Sequence, residues 1–356
     1  MPWRFFTPQR CVQNDRKFHS FLIVYKITSR AGDLTPPDGH FFLVYPTVFD
    51  KMSIMPRMGR FFAFLLLGWL IMAGNPAVAA GPFTYRSPVS PGGDAAAVTV
   101  VGQPQTHHIV RYENLYKIAR DYDLGFWELA RFQRSLDHFY LPWETDIVIP
   151  TQWIIPPNPG SAGYLINVAE LRGYRFFPDK HEVWTYPIGI GVFEYKTPIG
   201  KRFRVQNKAV DPGWRIPKGL QAKYGMSYMP PGEDCPVGNR WMGLSHYGLH
   251  GTHAPMGVGR LVSHGCIRHY PEDIVKLFDM TPVGTTVDII YEPVKIGFLK
   301  GRSYIEVHED IYFKIPDMLQ YAMKRLQERN LAGRIDWNRF LKAVEEQTGA
   351  PVDISR

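Results

Sequence analysis

Cysteine is scarce in this chain, with 3 in 356 residues: Cys11, Cys235 and Cys266. No two of them form a CxxC pair, which excludes both a small disulfide-stapled fold and a cysteine-paired zinc module. Dense basic runs with interleaved aromatics are missing as well. The 41 basic residues outnumber 33 acidic ones for a net charge of +8, but the excess is spread along the chain. That distribution excludes a nucleic-acid-binding protein and is compatible with an anionic polymer as partner. Disorder is excluded too, since 45% hydrophobic residues suffice for one sizeable core and a smaller domain.

Apolar runs long enough to cross a membrane are also lacking. The stretch from Phe61 to Gly74 is almost unbroken but short for a span. Gly59-Arg60 precedes it and Asn75-Pro76-Ala77-Val78-Ala79-Ala80 follows, giving the basic start, apolar centre and small-residue exit of a secretory signal. Residues 52–80 therefore read as a signal peptide cut after Ala79 or Ala80, with a retained anchor as the alternative. Met52, Met55 and Met58 sit directly before the basic start, so residues 1–51 read as an upstream segment ahead of the true first codon.

What the chain does hold is a chemical cluster. Leu249-His250-Gly251-Thr252 is followed by Val262-Ser263-His264-Gly265-Cys266-Ile267-Arg268. A thiol attacks a carbonyl as its thiolate, so a nucleophilic cysteine needs a base or cation beside it. His264, two residues before Cys266, shares its face if the strand is extended. His250 can return from an adjacent strand, and either could take the proton. Gly265 permits close backbone approach, making the Gly265 and Cys266 N–H groups candidate oxyanion donors. Arg268 offers a fork for a carboxylate, with an ion pair to Glu272 or Asp273 as its duller reading.

These residues resemble the signature of the L,D-transpeptidases, the YkuD-type enzymes, in which HG(T/S) precedes SHGC(I/V/L)(R/N). The resemblance extends to Tyr164-Leu165-Ile166-Asn167 through Arg175-Phe176-Phe177, to Pro187-Ile188-Gly189 and to Thr197-Pro198-Ile199-Gly200. It implies a mostly β catalytic domain over residues 160–293, a mixed β-sandwich with a short helix. It also implies Cys266 as nucleophile and His250 as base. His264, Gly265 and Gly251 would belong to the catalytic set, the Gly251 carbonyl fixing the imidazole tautomer. Arg268, Ser263 and Thr252 would bind substrate. No cofactor and no metal are implied. The partners would be peptidoglycan stem peptides and glycan, with an outer-membrane lipoprotein as a further possible acceptor. The chain would act as a monomer in the periplasm.

Residues 81–106, rich in Pro, Gly, Ser and Ala at their start, read as a linker. Residues 107–152 then read as strand, helix, helix, strand. Leu115, Ile118, Ala119 and Tyr122 lie at helical spacing, as do Phe126, Leu129, Ala130 and Gln133, and Asp146–Pro150 closes the unit. This resembles a small α+β LysM module that binds peptidoglycan glycan, although Tyr112-Glu113-Asn114 replaces the usual glycine-aspartate turn. A docking unit without glycan affinity is the alternative. Pro156-Pro157-Asn158-Pro159-Gly160 leads into the catalytic domain, whose one expected helix starts at Pro271. Residues 294–356 form a C-terminal extension: a strand over Ser303–His308, then helices over Met318–Arg329 and Trp337–Glu346, separated by a stop at Gly333 and a cap at Asp336.

Two readings from other classes remain. His246, His250, His253, His264, Cys266 and His269 crowd together as a metal site would, though at no recognised spacing. Alternatively, a dead catalytic fold could serve only to bind the wall. Within the enzyme reading, water as acceptor would make the protein an L,D-carboxypeptidase.

Overall fold

The computed structural model describes residues 81–158 and 161–356. The signal segment, the residues before it and Cys11 lie outside the described residues. Tyr164–Asn167 is wholly buried and pairs antiparallel with Arg172–Phe177, Asn167 opposite Arg172. This tight hairpin depends on Gly173, where a Cβ would lie 2.0 Å from the Tyr164 hydroxyl.

The hairpin centres a six-stranded sheet ordered Phe83–Thr84, Glu182–Pro187, Arg172–Phe177, Tyr164–Asn167, Thr286–Ile290 and Lys201–Arg204. Its pairs are antiparallel except Tyr164–Asn167 with Thr286–Ile290, which run parallel. A second sheet is ordered Asn207–Val210, Arg240–Leu244, Tyr247–His250 and Ile267–Arg268, with the last pair parallel. Tyr164, Ile166, Tyr186 and Val287 of the first sheet share one core with Met242, Leu249 and Ile267 of the second. The domain is therefore mostly β and sandwiched.

Among the described residues, six α-helices accompany the sheets: α1 (Leu115–Asp121), α2 (Phe126–Phe132), α3 (Lys218–Tyr224), α4 (Pro271–Asp279), α5 (Met318–Glu328) and α6 (Trp337–Glu346). Helix α4 has proline in its first turn, then Glu272 and Asp273, and buries Ile274 and Leu277 in the sandwich core. Helix α3 was not expected; its sequence has Gly219 inside it and no buried residue to set a period.

Residues 81–106 are not a free linker. Phe83–Thr84 pairs with Glu182–Pro187, Val100–Gly102 pairs with Gln152–Ile154, and Ala97 is buried against the C-terminal core. Short apolar pairs such as Val100-Val101 are strands because a partner edge is available, which composition alone does not show.

Residues 107–152 adopt the strand–helix–helix–strand order, with Gln105–His108 antiparallel to Asp146–Ile149. Asn114 caps α1 by accepting from Lys117 N at 2.9 Å. The unit docks firmly on the β-sandwich. Gly125 and Gly259 touch backbone to backbone, a Cβ on Gly259 falling 2.4 Å from Gly125 Cα. Arg120 makes two 2.7 Å bonds to the Glu272 carboxylate. Fully buried Arg172 donates to Glu128 at 2.7 Å and to the Asp123 carbonyl at 2.8 Å. Arg260 inserts its guanidinium among Tyr116, Phe126 and Trp127, 4.3–5.8 Å from the ring centres.

The C-terminal extension holds more β structure than its helices suggested. Val294–Leu299, Arg302–Val307 and Val352–Asp353 form an antiparallel sheet covered by α5 and α6. Asp317 and Asp336 cap the two helices, the latter accepting from Asn338 N at 2.9 Å. The turn after α5 comes at Asn330, with φ +53°, rather than at Gly333.

Candidate active site

Cross-strand register assembles the site. Trp241 pairs with His250, and His250 pairs in parallel with Arg268. One row of the second sheet thus reads Trp241, His250, Arg268 on a common face, with Cys266 two residues before Arg268 in the neighbouring row beside Gly248. Glycine is required at 248, because the Trp241 indole fills the space of a Cβ, with Cζ2 and Cζ3 at 2.6 Å from it. The indole stacks on the His250 ring at 5.6 Å between centres and 21° between planes.

His250 is buried, and its Nδ1 lies 2.6 Å from the Gly251 carbonyl. Nδ1–H donates there, so Nε2 carries the lone pair. Burial, with the Arg268 charge beside it, lowers the His250 pKa to about 3. Cys266 is half-buried, and burial raises its pKa against the Gly248 backbone N–H and Arg268, which both lower it. At neutral pH the resting pair is therefore thiol and neutral imidazole.

Gly265 has φ +103°, and a Cβ there would fall 2.7 Å from the Tyr247 ring. This turn interrupts the extended strand that would have put His264 on the Cys266 face. His264 is instead exposed and lies against Tyr195, 4.7 Å between ring centres. Burial, Lys223 and Arg268 all lower its pKa.

The Ser263 and Thr252 hydroxyls are both engaged in local backbone hydrogen bonds. Ser263 is buried, donates to the Cys266 carbonyl at 2.6 Å and accepts from Gly265 N at 3.1 Å. Thr252 is buried and accepts from Ala254 N at 3.0 Å. Both close turns, and the Gly265 N–H, already bonded to Ser263, is not a free oxyanion donor.

Arg268 has no acidic partner among the described residues. Glu272 is taken by Arg120, Asp273 is fully buried, and the Arg268 Nε is buried without a hydrogen bond. Burial lowers the Arg268 pKa, with Tyr224 and Cys266 opposing. Lys223 and Tyr224, at the end of α3, thus stand near the cluster, and neither they nor Trp241 carried a recognisable signal in the sequence.

The crowded histidines are dispersed. His246, His253 and His264 are exposed, whereas His269 is buried with Nε2 2.8 Å from the Tyr164 hydroxyl. Among the described residues, the group of three potential ligands that does converge is Glu170, Glu306 and His308, far in sequence from the motif. Cys235 and Cys266 are both free thiols, and Cys235 is buried with its sulfur 3.5 Å from the Pro212 carbonyl. A groove of about 910 Å³ lies where Trp127, Arg260, Val262 and Phe313 meet, but neither Cys266 nor His250 lines it.

A mostly β sandwich that presents a cysteine, a tautomer-fixed histidine and an unpaired arginine on one sheet face defines a thiol acyl-transfer class. Residues 161–289 match the YkuD family, the L,D-transpeptidase catalytic domain. The chain is 31% identical to the probable L,D-transpeptidase YcfS of Escherichia coli, over 86% of this chain and 98% of that one. It is 32% identical to the probable L,D-transpeptidase ErfK/SrfK of the same organism, over 68% of this chain and 82% of that one. The solved catalytic domain of an Enterococcus faecium L,D-transpeptidase is 24% identical over 38% of this chain and 100% of that one, with a TM-score of 0.31. The chain belongs to the L,D-transpeptidase family and is an enzyme of that class.

Proposed function

We propose that the protein is an exported peptidoglycan L,D-transpeptidase in which Cys266 is the nucleophile and His250 the base. The observation that carries this reading is the row Trp241, His250, Arg268 beside Cys266, with His250 Nδ1 held by Gly251 at 2.6 Å. In the first step Nε2 of His250 takes the thiol proton as sulfur attacks the carbonyl between the third and fourth residues of a stem tetrapeptide. The S–C bond forms, the C–N bond breaks, and the proton passes to the leaving amine of D-alanine. In the second step an acceptor amine attacks the thioester; the C–S bond breaks, and the amine's proton returns through His250 to the sulfur. Arg268 meets a free carboxylate of the stem.

A diaminopimelate amine as acceptor gives a 3→3 cross-link, a lipoprotein lysine gives anchoring, and water gives carboxypeptidase activity. Export through the segment 52–80 and action in the periplasm belong to this reading, as does a monomeric enzyme. So does the division into a LysM-like unit over 107–152, a catalytic domain over 160–293 and an extension over 294–356. The firm seat of the LysM-like unit on the catalytic domain favours docking over a freely tethered glycan anchor. Purified protein incubated with tetrapeptide muropeptides, with and without a lipoprotein acceptor, should release D-alanine and form the new amide. Cys266→Ala should reduce both to background, and full transfer by that variant would defeat the mechanism.

A further inference from the structure

Tyr312 belongs to the segment between strand Arg302–Val307 and helix α5, beyond the residues that match the family, yet it is buried in the core of the catalytic sandwich. Its hydroxyl donates to the Gly191 carbonyl at 2.6 Å and accepts from Thr197 N at 3.3 Å. It therefore closes the loop 191–197 at its neck. Thr197, also buried, accepts from Gly191 N at 3.0 Å and donates its hydroxyl to the Gly265 carbonyl at 3.1 Å.

The Gly265 carbonyl and the Cys266 N–H belong to one planar trans peptide and point in opposite directions. Holding the carbonyl through Thr197 therefore aims the Cys266 N–H away from the loop. With the Gly265 N–H committed to Ser263 and the Cys266 carbonyl held by the same side chain, orientation of this peptide rests on the Thr197 contact. The Tyr312 side is itself fixed. Tyr291 lies parallel to its ring at 6.2 Å and 9°, and the Tyr291 hydroxyl accepts from Tyr312 N at 3.0 Å. Asp310 binds the Tyr291 hydroxyl and also accepts from Ile315 N at 2.6 Å, which anchors the segment at both ends.

We infer that Tyr312 is a positioning residue for acyl transfer: through Thr197 and Gly265 it aims the Cys266 N–H at the oxyanion that forms when the thiol attacks. This rests on the reading of Cys266 as nucleophile. The C-terminal extension is on this account part of the machinery that positions the catalytic loop.

The test separates oxyanion-forming from oxyanion-free chemistry on the full-length protein. Acylation by a carbapenem generates an oxyanion, whereas alkylation by iodoacetamide does not. Tyr312→Phe should slow carbapenem acylation of Cys266 by about 10-fold while iodoacetamide alkylation stays within about 2-fold. Thr197→Val should show the same split, Thr197→Ser should retain the wild-type rate, and the double variant should lose no more than the worse single one. Equal losses in both reactions, multiplicative losses in the double variant, or a wild-type acylation rate in Tyr312→Phe would overturn the inference. A wild-type protein that alkylates at Cys266 but never acylates would sink the transpeptidase reading as well, which distinguishes the two failures.

Discussion

At the scale of the residue, burial decides the protonation states, and these decide how the site works. His250 is neutral above about pH 3, so its Nε2 lone pair is unprotonated throughout the physiological range. Cys266 has its pKa raised by burial, so the thiolate is scarce at neutral pH until a base acts. The expected pH dependence follows. Between pH 5 and 10 the rate of Cys266 alkylation should rise with pH, with a midpoint above the roughly 8.5 of a free cysteine and no inflection near 6.5. A plateau from pH 5 to 8 would instead indicate a preformed thiolate–imidazolium pair. The residues of the motif were legible in the sequence because their types carry the chemistry. The direction of each side chain was not. One positive φ at Gly265 turned His264 out to solvent, and two internal hydrogen bonds turned Ser263 inward.

At the scale of the element, the strands bring together what lies far apart in the chain. Tyr247–His250 and Ile267–Arg268 are short, and neither would persist without the sheet that receives them. Their parallel pairing sets His250 beside Arg268, a relation that spacing allows but does not dictate. The hairpin was expected from the family resemblance, and helix α4 was readable from its period and proline placement. The strand pairs of residues 83–102 and the helix α3 were not, because their partners are remote and their own patterns weak. Arg172 shows how much rests on one such junction: its buried guanidinium holds Glu128, the Asp123 carbonyl and the Trp153 ring face at 4.3 Å. Arg172→Ala leaves Glu128 without its buried partner and should cost about 3–5 kcal/mol of unfolding free energy. Urea denaturation of the purified variant measures this, and a loss below about 1 kcal/mol would show that the pair is not a structural bolt.

At the scale of the whole described molecule, three units share buried polar groups instead of hanging on flexible joints. Fully buried Lys295 in the C-terminal sheet contacts Glu306 at 2.7 Å, Glu170 of the catalytic domain at 2.8 Å and the Ile154 carbonyl at 2.6 Å. Burial pushes the Glu306 pKa up, but Lys295 and His308 outweigh it and hold that carboxyl below its usual range. Joined in this way, the extension can keep Tyr312 in the catalytic core. Such long-range joints are invisible to sequence reasoning, which sees an amphipathic helix pair and a proline-rich stretch where the structure has a continuous scaffold. Under the proposed mechanism the scaffold serves one event, the transfer of an acyl group to Cys266. Intact-mass analysis of the protein after brief exposure to a stem tetrapeptide, followed by mapping of the modified peptide, tests it directly. The account predicts a thioester on Cys266 whose mass lacks the terminal D-alanine; unmodified Cys266 in protein that turns the substrate over would contradict it.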